Sequence, residues 1–139
     1  MDEITWEDLQ HYQGLKAEIK SIEYEIREIY VQSPGPREVV GGASSVPSSG
    51  DPTARKAMRI IERRERLEAR LRELEEMTDR IEMFIDTMED HHKAAIMRWH
   101  FIQGKSWRET CSEVYGYPNP DTCRMEISRY FKAKERKRK

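Results

Sequence analysis

Two segments of the chain repeat apolar residues at alternating steps of four and three, and this pattern constrains the fold more than any other feature. In the first segment the repeat consists of Leu15, Ile19, Ile22, Ile26 and Ile29. In the second it consists of Ile60, Leu67, Leu71, Leu74, Ile81, Ile85 and Met88, with Arg64 and Thr78 interrupting the seam. Charged residues occupy many of the intervening positions. Such heptad stripes predict two long helices, each of which buries one side against another helix.

Capping residues and helix breakers set the predicted domain boundaries. Thr5, with Asp8 three residues later, suits a helix start and predicts a heptad helix within residues 1–32. The Ser/Gly/Pro-rich residues 33–51 lack periodicity and predict a flexible loop. Asp51-Pro52 favours a second helix start, which gives a long heptad helix over residues 52–89. The loop allows an antiparallel hairpin, but two chains paired through the same stripes would satisfy the pattern equally well.

The C-terminal part has the pattern of a compact three-helix domain over residues 90–134. Ser106 with Glu109 predicts a capping box at the start of its second helix, and Gly116 closes that helix. Asn119-Pro120 then supplies an N-cap and a first-turn proline for the third helix. Two helices joined by a glycine-containing bend are typical of a helix-turn-helix. The predicted fold is all-α, with long antiparallel coiled-coil helices followed by a C-terminal three-helix helix-turn-helix domain.

Charge divides the chain into two unlike parts, although the formal net charge of the whole is only -1. Residues 1–90 contain 13 basic and 21 acidic residues, for a net charge of -8, whereas residues 91–139 contain 12 basic and 5 acidic residues, for a net charge of +7. A basic surface attracts any polyanion or acidic protein. Together with the helix-turn-helix pattern, this asymmetry favours double-stranded DNA as the partner.

The candidate DNA-contacting residues lie on the last two predicted helices and beyond them. Arginines on the third helix of the domain can reach guanine edges or phosphates, and small hydroxyl side chains can make similar contacts. A basic tail over residues 135–139 is predicted to attract phosphate. The candidate set comprises Lys105, Ser106, Arg108, Thr122, Arg124, Met125, Ser128, Arg129, Lys132, Lys134, Arg136 and Lys137.

No enzyme, cofactor or metal pattern competes with this interpretation. The histidines and cysteines near the C-terminal domain form no C-x-x-C or H-x-x-x-H pair, so zinc is not predicted. Cys111 and Cys123 fall on predicted apolar faces and are interpreted as reduced packing groups between the two helices. The many carboxylates of the long helices are interpreted as solvated flanks of the heptad seam rather than catalytic pairs. The sequence contains neither a signal-peptide pattern nor a membrane span, which favours a cytoplasmic location.

Three short motifs resemble a known family. They are Ile102-Gln-Gly-Lys-Ser-Trp-Arg-Glu, Tyr115-Gly-Tyr and Thr122-Cys-Arg-Met. They are similar to the C-terminal half of the phage-encoded ArpU/RinA-like transcriptional regulators, whose ending is similar to the fourth region of sigma factors. The two heptad helices and the loop between them also match that family's layout, so the resemblance covers nearly the whole chain. It implies promoter binding that controls phage or prophage genes, often late genes, with RNA polymerase as a further candidate partner.

This sequence departs from the family pattern in two places. Thr110-Cys111 stands where an apolar-alanine pair is usual, and Pro118-Asn119-Pro120 makes a stiffer turn. Because the second departure can re-aim the last helix, the target sequence cannot be inherited from a relative.

Two other functions fit the same predicted elements. A phage small terminase subunit also combines a helix-turn-helix with a coiled coil, and a ring of many subunits would favour it. A protein-binding adaptor of RNA polymerase or of a sigma factor would use the three-helix domain without contacting DNA. The regulator hypothesis also includes a homodimer through the heptad helices, which would predict a two-fold-related operator.

Overall fold

The computed structural model describes residues 3–32 and 52–138, and every regular element within those ranges is helical. The elements are α1 (Trp6–Gln32), α2 (Pro52–Asp86), α3 (His91–Met97), a π-helical segment (Arg98–Ile102), α4 (Trp107–Tyr115) and α5 (Pro120–Arg138). The all-α class predicted from the sequence is confirmed. The predicted loop over residues 33–51, with its N-cap Asp51, lies outside the described residues.

Helices α1 and α4 both begin with the capping boxes expected from their sequences. The Thr5 hydroxyl accepts a hydrogen bond from the Asp8 backbone N–H at 3.1 Å, and the Asp8 carboxylate accepts one from the Thr5 N–H at 3.0 Å. Ser106 and Glu109 form the same reciprocal pair at 3.1 and 3.2 Å. Each box satisfies backbone donors that a helix start otherwise leaves unpaired.

Helices α3 and α5 begin with single caps. The Asp90 carboxylate accepts hydrogen bonds from the backbone N–H groups two and three residues later, at 2.9 and 3.2 Å. Asn119 does the same for the Asp121 N–H at 2.9 Å, and Pro120 occupies the first position of α5. A first-turn proline suits a helix start because that position needs no intrahelical donor.

The ends of α2 and α5 differ from the sequence prediction. Helix α2 stops at Asp86 rather than near residue 89. Beyond it the Thr87 hydroxyl donates to the Phe84 carbonyl at 2.6 Å, and the chain leaves the helix before the next cap. Helix α5 continues to Arg138, so the predicted basic tail is helical over residues 135–138. Neither proline nor glycine follows Pro120, and nothing local interrupts the helix there.

The described residues form two compact units. The middle unit, Leu15–Glu73, contains the later part of α1 and the earlier part of α2. Within it Arg63 contacts Glu25 at 3.2 Å and Arg70 contacts Glu18 at 2.8 Å. From Arg63 to Arg70 along α2, the partner on α1 moves back from Glu25 to Glu18, so the two helices run antiparallel. Since the side chains of these pairs are 27–45% exposed, water screens the attraction, and the pairs specify register more than they stabilise.

The predicted stripe is buried over only part of the middle unit. Leu15, Ile19, Ile22 and Ile60 are buried, whereas Ile26, Ile29 and Leu67 are half-buried. Leu71, which the repeat assigns to the seam, is 43% exposed. A heptad falls short of two full helical turns by about 20°, so the buried stripe drifts around a straight helix and leaves Leu71 at its edge.

The terminal unit, Met1–Gly14 with Leu74–Lys139, holds the larger core. Fully buried side chains come from every helix of the unit: Ile4, Leu9, Tyr12, Ile81, Ile85, Ile96, Met97, Phe101, Thr110, Cys111, Cys123 and Ile127. Trp6 packs against Phe101 and Phe131, with ring centroids 6.2 and 5.8 Å apart. The predicted domain over residues 90–134 therefore shares one core with the first residues of α1 and the end of α2.

Thr78, which interrupts the apolar repeat, provides a hydrogen-bond partner for the buried Tyr12 hydroxyl. Its own hydroxyl donates to the Leu74 carbonyl at 2.7 Å, which leaves its oxygen free to accept from the Tyr12 hydroxyl at 2.8 Å. Burial raises the pKa of Tyr12, an effect that the bond to Thr78 partly offsets. This pair joins α1 to α2 within the terminal unit.

Candidate nucleic-acid interface

Helix α5 is anchored along one side and exposed along the other. Cys123 and Ile127 are fully buried, and Phe131 is 5% exposed. At about 100° per residue, these three side chains span one sector of the helix. The opposite sector carries four exposed side chains within about 60° of one another: Met125, Arg129, Lys132 and Arg136. A helix held in this way presents a fixed, largely basic outer face, and we call these four residues the outer face of α5.

The contact between α4 and α5 is built on the two cysteines, as the sequence predicted. Cys111 and Cys123 are both fully buried free thiols. Burial, with a hydrogen bond to Cys111, raises the pKa of Cys123 to about 12. Both features identify the thiols as small packing groups that let the helices approach closely. The neighbouring Thr110 is also fully buried.

A polar cluster on the other flank fixes α5 against α3 and α4. The Tyr115 hydroxyl donates to the Glu126 carboxylate at 2.5 Å, and the Lys93 ammonium lies 3.6 Å from the same carboxylate. Burial, followed by the bond to Glu126, raises the pKa of Tyr115 far above its ordinary value of 10.0. Lys93 also pairs with Asp90 at 2.9 Å. Sequence reasoning missed this cluster because no motif links residues so far apart.

The turn between α4 and α5 depends on Gly116, whose φ of +82° lies in the left-handed region. Its backbone N–H bonds the Ser112 carbonyl at 2.9 Å. Glycine adopts this conformation without the steric penalty that other residues incur, which makes it a common helix C-cap. The prediction that Gly116 closes the helix is confirmed.

The start of α4 is positioned by an aromatic stack that the sequence did not reveal. The π-helical segment closes with a hydrogen bond from the Gln103 N–H to the Arg98 carbonyl at 2.9 Å. His100, within this segment, stacks on Trp107 with ring centroids 3.5 Å apart, and its Nδ1 lies 2.7 Å from the Lys105 carbonyl. A carbonyl only accepts, so Nδ1 carries the proton. The stack holds the chain just before the Ser106 cap.

Most of the predicted DNA-contacting side chains are solvent-accessible. Exposed residues are Lys105, Ser106, Arg108, Arg124, Met125, Arg129, Lys132, Arg136 and Lys137. Half-buried residues are Thr122, Ser128 and Lys134. Lys105, Ser106 and Arg108 lie at the start of α4, and all the others lie on α5.

Three of these residues already have partners within the protein. The Ser106 hydroxyl is engaged in the capping box. Arg124 pairs with Asp121 at 2.7 Å, and it lies about 100° around α5 from Met125, on the flank rather than the outer face. The Lys134 ammonium lies 4.9 Å from the centre of the Phe84 ring and 3.9 Å from the Glu3 carboxylate. Lys134 therefore contributes to packing, a role that sequence reasoning missed.

Comparisons with family models, with curated proteins and with solved structures found no match. The resemblance to the phage regulators thus stays a prediction from the sequence motifs. In the described part of the chain, no group of three or more His, Cys, Asp or Glu side chains is placed to hold a metal ion. No described helix combines the length and apolar character needed to cross a membrane.

Proposed function

We propose that this protein is a non-enzymatic, sequence-specific DNA-binding regulator of phage or prophage transcription. In this proposal α4 and α5 form a helix-turn-helix, and the outer face of α5 enters the major groove. The observation that carries the proposal is the anchoring of α5, which is buried on one side and exposes a basic face on the other. The phage context, late genes and RNA polymerase come from the motif resemblance.

The positive charge along α5 supports a polyanion such as DNA as the partner. Arg129, Lys132 and Arg136 recur along one face of α5, and Lys137 adds another positive charge beside the last turn. A line of cations at helical spacing matches a phosphate backbone, and each phosphate contact releases counterions. Binding should therefore weaken steeply with added salt.

The long helices are proposed to form a coiled coil that orients the DNA-binding unit or pairs two of them. The ion pairs of the middle unit join α1 and α2 in antiparallel order, and a homodimer can use other surfaces of the same unit. The middle unit has exposed apolar side chains that suit this purpose: Tyr24, Val31, Met58 and Ile61, each more than half exposed. A dimer through these residues would predict an operator with two-fold symmetry.

A gel-shift series on random-sequence and prophage promoter fragments tests the assignment of α5. Arg129→Ala should weaken binding more than Arg124→Ala, because Arg129 lies on the outer face and Arg124 is tied to Asp121. Loss of a base contact costs about 1–3 kcal/mol, which is a roughly fivefold to 150-fold loss of affinity. Arg66→Ala, an exposed arginine of the middle unit, is the matched control and should leave binding unchanged. Equal binding by all three variants would reject α5 as the recognition helix.

Solution mass and salt dependence separate the proposal from its rivals. A monomer or dimer in light scattering is expected, whereas a ring of many subunits would favour DNA packaging. DNA affinity that falls with salt is expected, and the slope measures the number of phosphates contacted. No affinity at low salt would favour a protein-binding adaptor.

A further inference from the structure

Met125 is an exposed apolar residue at the N-terminal end of the basic outer face of α5. Its side chain is 42% exposed, with Thr122 about one turn before it and Arg129 about one turn after it. These three residues line an open groove along α5, together with Tyr130 and Ala133. A single exposed methionine on a protein surface needs no explanation by itself. Its position between a threonine and an arginine, on the face proposed to enter DNA, suggests an apolar ligand group there.

Two acidic residues, Asp121 and Glu126, also line this groove, and both are paired with other groups of the protein. Asp121 is paired with Arg124 at 2.7 Å. Glu126 accepts the Tyr115 hydroxyl at 2.5 Å and lies 3.6 Å from the Lys93 ammonium. Neither carboxylate faces an approaching phosphate without a compensating partner. The charge left on this side of α5 is that of the outer-face arginines and lysine, which fits a polyanion.

We propose that Met125, with the Thr122 methyl group, recognises thymine through its 5-methyl group in the major groove. This inference rests on the proposed DNA-binding function. The thymine methyl is the apolar group that a base pair presents in the major groove, and apolar side chains recognise it by direct contact. Arg129 lies beside it to contact a guanine edge or a phosphate.

The spacing along α5 places these contacts on nearby base pairs. With a rise of about 1.5 Å per residue, Thr122 and Met125 are about 4.5 Å apart along the helix axis, and Met125 and Arg129 about 6 Å. Successive base pairs are about 3.4 Å apart. Met125 and Thr122 therefore suit adjacent or next-but-one base pairs. The preferred site should contain one or two thymines at constant positions, with the Arg129 contact one or two base pairs away.

Methyl removal from DNA tests the proposal without altering any hydrogen bond. A binding site is first selected from random DNA with the full chain, and each thymine in it is then replaced singly by deoxyuridine. The wild-type protein should lose about threefold to tenfold in affinity at one or two positions. Met125→Ala should bind the parent site more weakly and lose this sensitivity, so that thymine and deoxyuridine sites bind equally. Met125→Leu, which keeps an apolar side chain, should retain the sensitivity.

Met83→Ala is the matched control, since Met83 is 70% exposed on α2 and should leave both affinity and methyl sensitivity unchanged. Wild-type binding that is indifferent to deoxyuridine at every position would overturn the methyl contact while leaving DNA binding intact. A selected site without thymine would also overturn the methyl contact, as would a Met125→Ala variant that keeps the full sensitivity to deoxyuridine. A chain that binds no DNA at low salt would overturn the proposed function itself, and the methyl contact with it.

Discussion

Thr110→Val should stabilise the protein, although it changes a fully buried residue of α4. Thr110 has no measurable exposure, and no described residue offers its Oγ1 a hydrogen-bond partner. Valine has the same branched shape, so the substitution replaces a buried, unbonded hydroxyl with a methyl group. The core keeps its volume and loses a polar group that nothing compensates.

The magnitude follows from the cost of an unsatisfied hydroxyl. Burying such a group costs about 1–3 kcal/mol in proteins. Threonine and valine have similar helix propensities, and no cavity or overpacking is introduced. We expect a gain of about 1–2 kcal/mol in the free energy of unfolding. For a chain of this size that gain corresponds to a Tm increase of about 3–6 °C.

Thr78→Val is the matched control, because the same change should have the opposite sign there. The Thr78 hydroxyl donates to the Leu74 carbonyl and lies 2.8 Å from the Tyr12 hydroxyl. Its removal leaves the largely buried Tyr12 hydroxyl without this partner, at an expected cost of about 1–3 kcal/mol. A second control, Thr110→Ser, keeps the buried hydroxyl and removes a methyl group, so it should destabilise by about 1 kcal/mol.

Urea unfolding followed by circular dichroism, with thermal melts, measures all three variants. The test requires unchanged m-values, since a change would mean that the unfolded or folded state had altered. If Thr110→Val lowered the stability as Thr78→Val does, the Thr110 hydroxyl would be bonded and the reasoning refuted. DNA affinity is expected to be unchanged in Thr110→Val, because the residue is fully buried on α4 and does not belong to the outer face of α5.

Three further predictions test the rest of the structure. Leu9→Ala, at a fully buried position of α1, should destabilise the terminal unit by about 3 kcal/mol. The protection of α5 amides from hydrogen exchange should then fall. Unchanged protection would show that the C-terminal domain folds without α1. Burial raises the pKa of Cys123 to about 12, so this thiol should resist iodoacetamide at pH 8 in the native protein and react in urea. Mass spectrometry measures the alkylation. Rapid alkylation of the native protein would contradict the burial of Cys123. The backbone hydrogen bond from Ser106 lowers the pKa of Glu109, so its carboxylate stabilises the fold above the ordinary pKa of 4.5 and ceases to do so as pH falls through the lowered value. The Tm difference between wild type and Glu109→Gln should therefore shrink from pH 6 to pH 3, and a constant difference would mean that the charge has no role.

Local structure was largely predictable because it depends on residues a few positions apart. The capping boxes at Thr5 and Ser106 join residues three apart, and Gly116 ends α4 by its own backbone preference. The buried side of α5 follows from helical periodicity, since Cys123 and Ile127 are one turn apart. Such interactions can be predicted from short stretches of sequence.

Part of the candidate site was also predictable, and its limits have a physical origin. The exposed positions of Met125 and Arg129 follow from the same periodicity that buries the other side of α5. The pairing of Arg124 with Asp121 is also local, since the two residues are three positions apart on the same helix. The fate of Lys134 could not be predicted in this way, because the Phe84 ring over which it lies is brought near only by the packed structure.

The α5 helix illustrates the division between sequence and tertiary structure most clearly. Its sequence alone determined where it starts, which side is apolar, and that its opposite side is basic. Only the tertiary structure decided that the start of α1 covers its apolar side, through contacts such as that between Trp6 and Phe131. The two residues are more than a hundred positions apart, and no periodic pattern specifies which stripe a helix buries against. Burial of apolar area is non-directional, so which helix covers the apolar side of α5 depends on the packing of the whole core.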